Sequence, residues 1–480
     1  MAPLDRLQYV SVGAGGVFST SGAYRSEPKD VDDFVASVKA SGERRVAIHF
    51  HGGLVPEQAG AAVVEKMIGV FARAGSRGYG VIWETGLGET LRDNLRDVAR
   101  TALFRELVRL ALKLASKHVA GGVGGRGPGM GLTDAELDAG LTNARPFASW
   151  DTPAPAAAGA KGAFPLDEET LAAEAEEELA GQPTLAATLE ADLASTRAVD
   201  ARAVLSAPPA PGQRGLVSLA KLAVSAAKIV VRVVRRMLSG HGHGFYPTVV
   251  EETLRQILVA DFGEMVWGAM KRKAGDMFAR GVAGPPRAGA YLVERLAQLQ
   301  QSTPGFVVDV VGHSAGAIAV ARLLPCAQSA GLRVRRIGLL APAVRADVFE
   351  TEVIARDGTG FDALRTWTMA DRFEAADRLA WLLYPRSLLY FISGVLEGED
   401  ADTPVVGLER QLSGAPPYAE GVAARVGAYL RTPGRNRLVL ARSTDLAPGA
   451  PEGFRTDAAH HGDFDDDAPT QESVAAFLRA

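Results

Sequence analysis

The 480-residue chain has a single cysteine, Cys326. One thiol excludes an intrachain disulfide framework and any multi-cysteine metal site. It sits in an apolar stretch and reads as a buried core thiol. The sequence also lacks a run of about 18 uncharged apolar residues, the length a membrane-spanning helix needs. Its first residues, Met-Ala-Pro-Leu-Asp-Arg-Leu, have no apolar signal core. These two absences make a cytoplasmic location the expectation. Nor is there an excess of positive charge. With 52 Lys and Arg against 56 Asp and Glu, the net charge is −4, which gives no global attraction to nucleic acid. There is no internal repeat. What remains is an ordinary soluble composition, 47% hydrophobic and 22% charged, on a chain long enough to bury a large core.

Short apolar runs recur at wide spacing: Leu7–Val12, Val46–Phe50, Gly80–Trp83, Phe306–Val311, Ile337–Leu340, Leu364–Met369 and Arg437–Ala441. Helical patterns such as Ala61–Ala74 and Ala317–Leu324 separate most of them. Strand and helix in alternation predict an α/β fold, a mostly parallel sheet with helices on both faces. In such sheets, sites form at the carboxyl ends of the strands.

The alternation breaks from about Gly88 to about Thr303. Residues Leu103–Val119, Leu216–Leu238 and Thr248–Phe278 carry helical patterns. Between the first two lie a Gly-rich stretch at 121–131, an Ala/Pro-rich stretch at 146–165, an acidic run at 167–178 and another loop at 208–215. The organisation expected is a core of residues 1–90 and 300–480, with a helical cap inserted at 91–299. The middle of the cap, about 121–214, reads as a mobile lid.

The most informative stretch is Val307-Val308-Asp309-Val310-Val311-Gly312-His313-Ser314-Ala315-Gly316. A strand runs into Gly-x-Ser-x-Gly, and small residues at helical spacing follow. Glycines on either side of the serine let strand and helix pass closely while the turn holds Ser314 in a strained conformation. The pattern resembles the nucleophile elbow of the α/β-hydrolases, of the serine esterase/lipase type. The resemblance covers residues about 1–90 and 300–480. It implies acyl-ester hydrolysis without a cofactor or metal, and leaves the substrate open.

Acyl transfer by serine needs a base, an acid to orient it, and donors for the oxyanion. In the order the resemblance implies, acid and histidine follow the serine. Only His460 and His461 lie beyond Ser314; His461, followed by glycine, is preferred as base. The strand Leu364–Met369 ends at Ala370-Asp371, which makes Asp371 the expected acid. Glu397, Asp400 and Asp402 compete with it, and Asp371 can instead open a helix as a cap, with Glu374 three residues on. A polar surface role, or adventitious metal binding with Asp463 and Asp465, is the other reading of the histidine pair. The strand Val46–Phe50 leads into His51-Gly52-Gly53-Leu54, where the Gly53 amide is the expected partner of the Ala315 amide in an oxyanion hole, with Leu54 next. His51 is expected to brace that loop, His49 to be packed, and Trp83-Glu84-Thr85-Gly86 to line the pocket wall.

In Leu216–Leu238 the cations Lys221, Lys228, Arg232, Arg235 and Arg236 fall near one stripe, with no acid among them. Arg105, Arg109, Lys113 and Lys117 share another stripe. Basic amphipathic helices can rest on an anionic membrane surface. The alternative is an ordinary cap with these charges solvated or paired with the 167–178 acids. His241-Gly242-His243, without a third ligand type nearby, reads as a loop at a helix end. The function expected is a serine hydrolase acting on a small-molecule or lipid acyl ester, with no nucleic-acid partner. The alternatives are an amidase or peptidase with the same residues, and a non-catalytic binding module.

Overall fold

The computed structural model describes residues 4–53, 55–83, 95, 97–119, 131–143, 145–151, 167–180, 214–258, 267–380, 383–397, 401–441 and 450–480. All seven apolar runs form strands: β1 (Tyr9–Val12), β2 (Arg45–Phe50), β3 (Arg77–Trp83), β4 (Val307–His313), β5 (Val334–Leu340), β6 (Phe361–Met369) and β7 (Leu438–Ala441). They make one sheet in the order β1-β3-β2-β4-β5-β6-β7, and every neighbouring pair is parallel. β5 begins ahead of its apolar run because Arg335 finds a partner: its Nε donates to Asp309 of β4 at 2.9 Å.

Twelve helices accompany the sheet among the described residues. They are α1 (Pro28–Ser41), α2 (Glu57–Arg73), α3 (Ala102–Val119), α4 (Asp134–Thr142), α5 (Glu168–Ala180), α6 (Arg214–Leu238), α7 (Phe245–Leu258), α8 (Ala269–Asp276), α9 (Ala288–Ser302), α10 (Gly316–Ala330), α11 (Gly421–Leu430) and α12 (Ala468–Arg479), with shorter helical turns besides. Successive side chains of a strand point to opposite faces, and the core divides accordingly. Val46, Ile48 and Phe50 of β2 pack with Phe34 of α1, Leu296 of α9 and Val320 of α10. Ala47 faces the other way, into a cluster with Phe71 of α2 and Phe477 of α12. Helices therefore cover both faces. Cys326 is a buried free thiol on α10, and burial pushes its pKa up to about 11.

The described residues between β3 and β4 are mostly helical. The apolar faces of α3, α6 and α7 join the first cluster, through Leu107, Val230 and Val250 among others. Two helices, α4 and α5, form inside the stretch expected to be a mobile lid. A reciprocal capping box of Thr133 and Glu136 starts α4. In α5, Leu171, Ala175 and Leu179 recur at four-residue spacing and are buried. Its acids meet α3: Lys113 pairs with Glu178, and Lys117 with Glu174 at 3.2 Å. The stretches at 121–130, 152–166 and 181–213, and the single helical pattern between α7 and α8 at 259–266, lie outside the described residues. Among the described residues no helix is long and apolar enough to cross a membrane.

Two glycines set how closely α2 lies on the sheet. A Cβ on Gly80 of β3 would stand 2.1 Å from a methyl of Val64, and one on Gly78 would stand 2.9 Å from the Ile68 Cα. Gly80→Ala should force α2 outward and destabilise the protein by about 1–3 kcal/mol, the usual cost of overpacking. Urea unfolding checks this; an unchanged midpoint would mean the helix is not held at that distance.

Candidate active site

β4 delivers the chain to Ser314, and α10 starts two residues later. Ser314 has φ of 52°, a left-handed conformation that few non-glycine residues adopt. Such backbone strain costs roughly 1–3 kcal/mol and persists only where its surroundings impose it. Here they do. The Ser314 amide donates to the Leu340 carbonyl at 2.8 Å, and the Ala343 amide donates to the Ser314 carbonyl at 3.0 Å. The glycines act by contact. A Cβ on Gly316 would lie 2.1 Å from the Phe50 carbonyl oxygen, and one on Gly312 would lie 2.7 Å from the Gly316 carbonyl oxygen. No side chain fits at either place.

His461, not His460, faces the serine. Its Nε2 is 2.9 Å from Ser314 Oγ, and both residues are buried. His460 is exposed, and its Nδ1 sits 2.9 Å from Asp377 Oδ1. The loop carrying them is clamped at several points. Asp463 accepts the amides of Ala459 and His460 at 3.0 and 2.8 Å. The other oxygen of Asp377 accepts the His461 amide at 2.9 Å. The His461 carbonyl faces His313 Nε2 at 3.1 Å, and His313 Nδ1 faces the Asp465 carboxylate at 2.5 Å. Both His313 nitrogens point at acceptors, so both must carry protons. Burial opposes that charge, but Asp465 outweighs it and raises the His313 pKa. His461 goes the other way: burial, helped by the His313 charge, lowers it to about 3. It is a neutral imidazole at ordinary pH.

Asp371 is not against His461. Ala370 is the N-cap of the helical turn that Asp371 begins, so Asp371 is not the cap residue either. Its carboxylate accepts the Tyr390 hydroxyl at 2.5 Å, and its amide donates to Glu409 at 2.8 Å. Among the described residues nothing accepts from His461 Nδ1, which is buried and unpartnered. The chain turns helical at Asp371, which spends its carboxylate on the segment bearing Tyr390. Asp377, two turns on, reaches the histidine loop instead. Spacing alone hid this, although Asp371, Glu374 and Asp377 recur every three residues. Glu374 is wholly buried, and burial pushes its carboxyl up to about 8. The competing acids are committed elsewhere. Glu397 accepts from the Trp267 indole at 2.5 Å and from Lys271 at 2.7 Å. Asp402 faces His243 at 2.8 Å. Asp400 lies outside the described residues.

The loop after β2 passes beside the serine. A Cβ on Gly52 would meet the Ser314 Cβ at 3.5 Å, and one on Gly53 would meet the Ala315 Cβ at 2.8 Å and the Met270 sulfur of α8 at 2.5 Å. Gly53 and Ala315, the two residues expected to offer amides, are therefore neighbours. His51 braces this loop. Its Nδ1 donates to the Gly52 carbonyl at 2.7 Å, and its Nε2 accepts the Trp83 amide at 3.2 Å. Burial lowers its pKa to about 4, in keeping with that single tautomer. His49 is buried, 3.7 Å from Asp465. Leu54 and residues 84–86 lie outside the described residues.

A second buried charge cluster joins α6 and α7 to the segment before β7. His243 lies between Glu251 and Asp402, 2.8 Å from each, and Arg236 pairs with Glu251 at 2.7 Å and Glu252 at 2.9 Å. Arg236, expected on an exposed stripe, is thus buried. Its acidic partners on α7 face inward, which periodicity on α6 alone could not show. His243 does follow a helix end, as expected, but it is a core ion. No family model, no curated protein and no solved structure matches the chain.

The two buried histidines should titrate in opposite senses. At pH 6.5 imidazole nitrogen NMR should show His313 mostly doubly protonated and His461 neutral. The raised His313 pKa gives stability that is complete below the unfolded value of about 6.5 and is lost as pH rises through the folded value. His461 costs stability as pH falls below about 6.5, because only the unfolded chain takes up that proton. Asp465→Asn should lower the His313 pKa; an unchanged His313 titration would contradict the pairing.

Proposed function

We propose that this protein is a serine hydrolase that cleaves an acyl ester through an acyl-enzyme, built as an α/β-hydrolase core with a helical cap. The observation that carries the reading is Ser314, strained at φ 52° and 2.9 Å from a buried, neutral imidazole. A serine hydroxyl is a weak nucleophile until a base takes its proton. In this reading Ser314 Oγ attacks the substrate carbonyl carbon as its proton passes to His461 Nε2. The negative charge on the former carbonyl oxygen falls to the amides of Gly53 and Ala315, the latter next to the N-terminus of α10, where partial positive charge gathers. The tetrahedral species collapses, and His461 returns the proton to the leaving alcohol. Water then repeats the sequence to release the acid.

The histidine is held by its backbone. Asp377 fixes the amide and the His313–Asp465 pair fixes the carbonyl, so ring and hydroxyl meet without a carboxylate on Nδ1 among the described residues. Met270 of α8 stands against Gly53, beside the serine turn. The substrate in this reading is a small-molecule or lipid acyl ester, and the chemistry needs no cofactor.

Steady-state hydrolysis of an activated ester tests the assignments. Ser314→Ala should abolish turnover, and His461→Ala should lower kcat by about a thousandfold or more. Asp377→Asn should cost roughly ten- to a hundredfold by loosening the loop, more than Asp371→Asn. His460→Ala should cost less than about tenfold. If Asp371→Asn is the crippling change, the acid is Asp371 and the loop closes onto it during turnover. Full activity in Ser314→Ala would remove the proposal.

A further inference from the structure

Helix α6 spans 25 residues without one acidic side chain. Its inward face is apolar and buried, with Leu222, Ala226, Ile229, Val230 and Val233 in the core. Its outward face carries Lys221, Lys228, Arg232 and Arg235, at spacings of seven, four and three. At 3.6 residues per turn these lie within an arc of about 60° along roughly 21 Å. Lys228 and Arg235 are exposed, and Lys221 and Arg232 are half-buried.

The cations of α3 offer a contrast. Arg109 pairs with Asp134 at 3.2 Å, and Lys113 and Lys117 pair with Glu178 and Glu174. Asp134 and Asp138 of α4 and Glu174 and Glu178 of α5 are engaged there. Among the described residues Lys228, Arg232 and Arg235 enter no ion pair; Arg232 reaches only the neutral Gln256, at 3.3 Å. On a protein of net charge −4, this stripe is a local positive surface on an otherwise acidic body.

Two aliphatic side chains flank it. Val224 is 44% exposed and Leu238 is 56% exposed. With Val282 they are the three exposed large hydrophobics among the described residues. Both lie on the outward side of α6. Phosphates of a nucleic acid would satisfy the cations but give the aliphatics nothing, and an acidic protein would need an apolar patch beside its carboxylates. An anionic bilayer satisfies both, since cations meet headgroups while aliphatic side chains enter the acyl boundary.

We propose that the outward face of α6 is a docking surface for anionic lipid membranes, holding the protein at the interface through Lys228, Arg232 and Arg235 with Val224 and Leu238 as shallow anchors. The surface stands on α6 alone and does not depend on the chemistry of Ser314.

Co-sedimentation tests it, with the full chain and vesicles of phosphatidylcholine with and without phosphatidylserine. Binding should require the anionic lipid and weaken as salt is added. Lys228→Glu with Arg232→Glu and Arg235→Glu should weaken it by about tenfold or more. Because Arg232 touches Gln256, the pair Lys228→Glu and Arg235→Glu is a second variant; circular dichroism and Tm show that each is folded. Val224→Ser with Leu238→Ser should weaken vesicle binding but leave retention on heparin unchanged. Ser314→Ala should bind as the wild type does, which separates this test from that of the hydrolase. No binding, equal binding to neutral and anionic vesicles, or wild-type binding by the folded charge variants would overturn the proposal. So would an aliphatic variant that binds vesicles as wild type does, which would point to a soluble polyanion.

Discussion

Everything at the site depends on how closely β4 and α10 pass the end of β2. At Gly316 a single added carbon would stand 2.1 Å from the Phe50 carbonyl oxygen. That proximity joins the serine turn to the strand that leads into Gly52 and Gly53, so one packing constraint places the hydroxyl and both candidate amide donors. The strain at Ser314 is affordable because its amide and carbonyl are each tied to the β5 end of the sheet, at Leu340 and Ala343. A turn with freer flanks would relax out of the left-handed region, and the hydroxyl would move with it.

A second theme is buried charge at junctions. His313 and Asp465 lock the loop bearing His461 onto the end of β4. His243, Arg236, Glu251 and Asp402 lock α6 and α7 onto the segment before β7. Each imidazolium has a carboxylate within 2.8 Å. Such pairs add little stability relative to apolar packing, but losing one partner costs roughly 3–5 kcal/mol. They therefore favour one arrangement of the parts over near alternatives. In both places what is fixed is geometry: the position of an imidazole over a serine, and the seating of a helix whose outer face is cationic.

The strands were legible because apolar β-formers at wide spacing leave few other readings, and all seven runs pair in one parallel sheet. The serine turn was legible because glycine at two fixed offsets has a steric cause. The choice between His460 and His461 rested on a following glycine, and the structure turns the second toward Ser314. The carboxylate partner was not legible. Asp371, Glu374 and Asp377 lie on one short stretch, and which of them reaches the histidine depends on where that stretch turns helical and on Tyr390, a long-range contact. The role of His313 was hidden for the same reason, since its partner Asp465 is 152 residues away. Helices α4 and α5 were hidden by composition, because Gly-, Pro- and acid-rich sequence reads as a mobile lid; yet Leu171, Ala175 and Leu179 turn inward, and Glu174 and Glu178 pair with Lys117 and Lys113 of α3, as one reading of those cations expects.

In the proposed function, the backbone geometry at Ser314 makes that one hydroxyl reactive among all the serines of the chain. Mass spectrometry after reaction with a fluorophosphonate measures this directly. A single adduct per chain is expected, mapped to the peptide containing Ser314 and lost when His461 is replaced by alanine. An adduct on another serine, or folded protein that takes up no label, would rule this out.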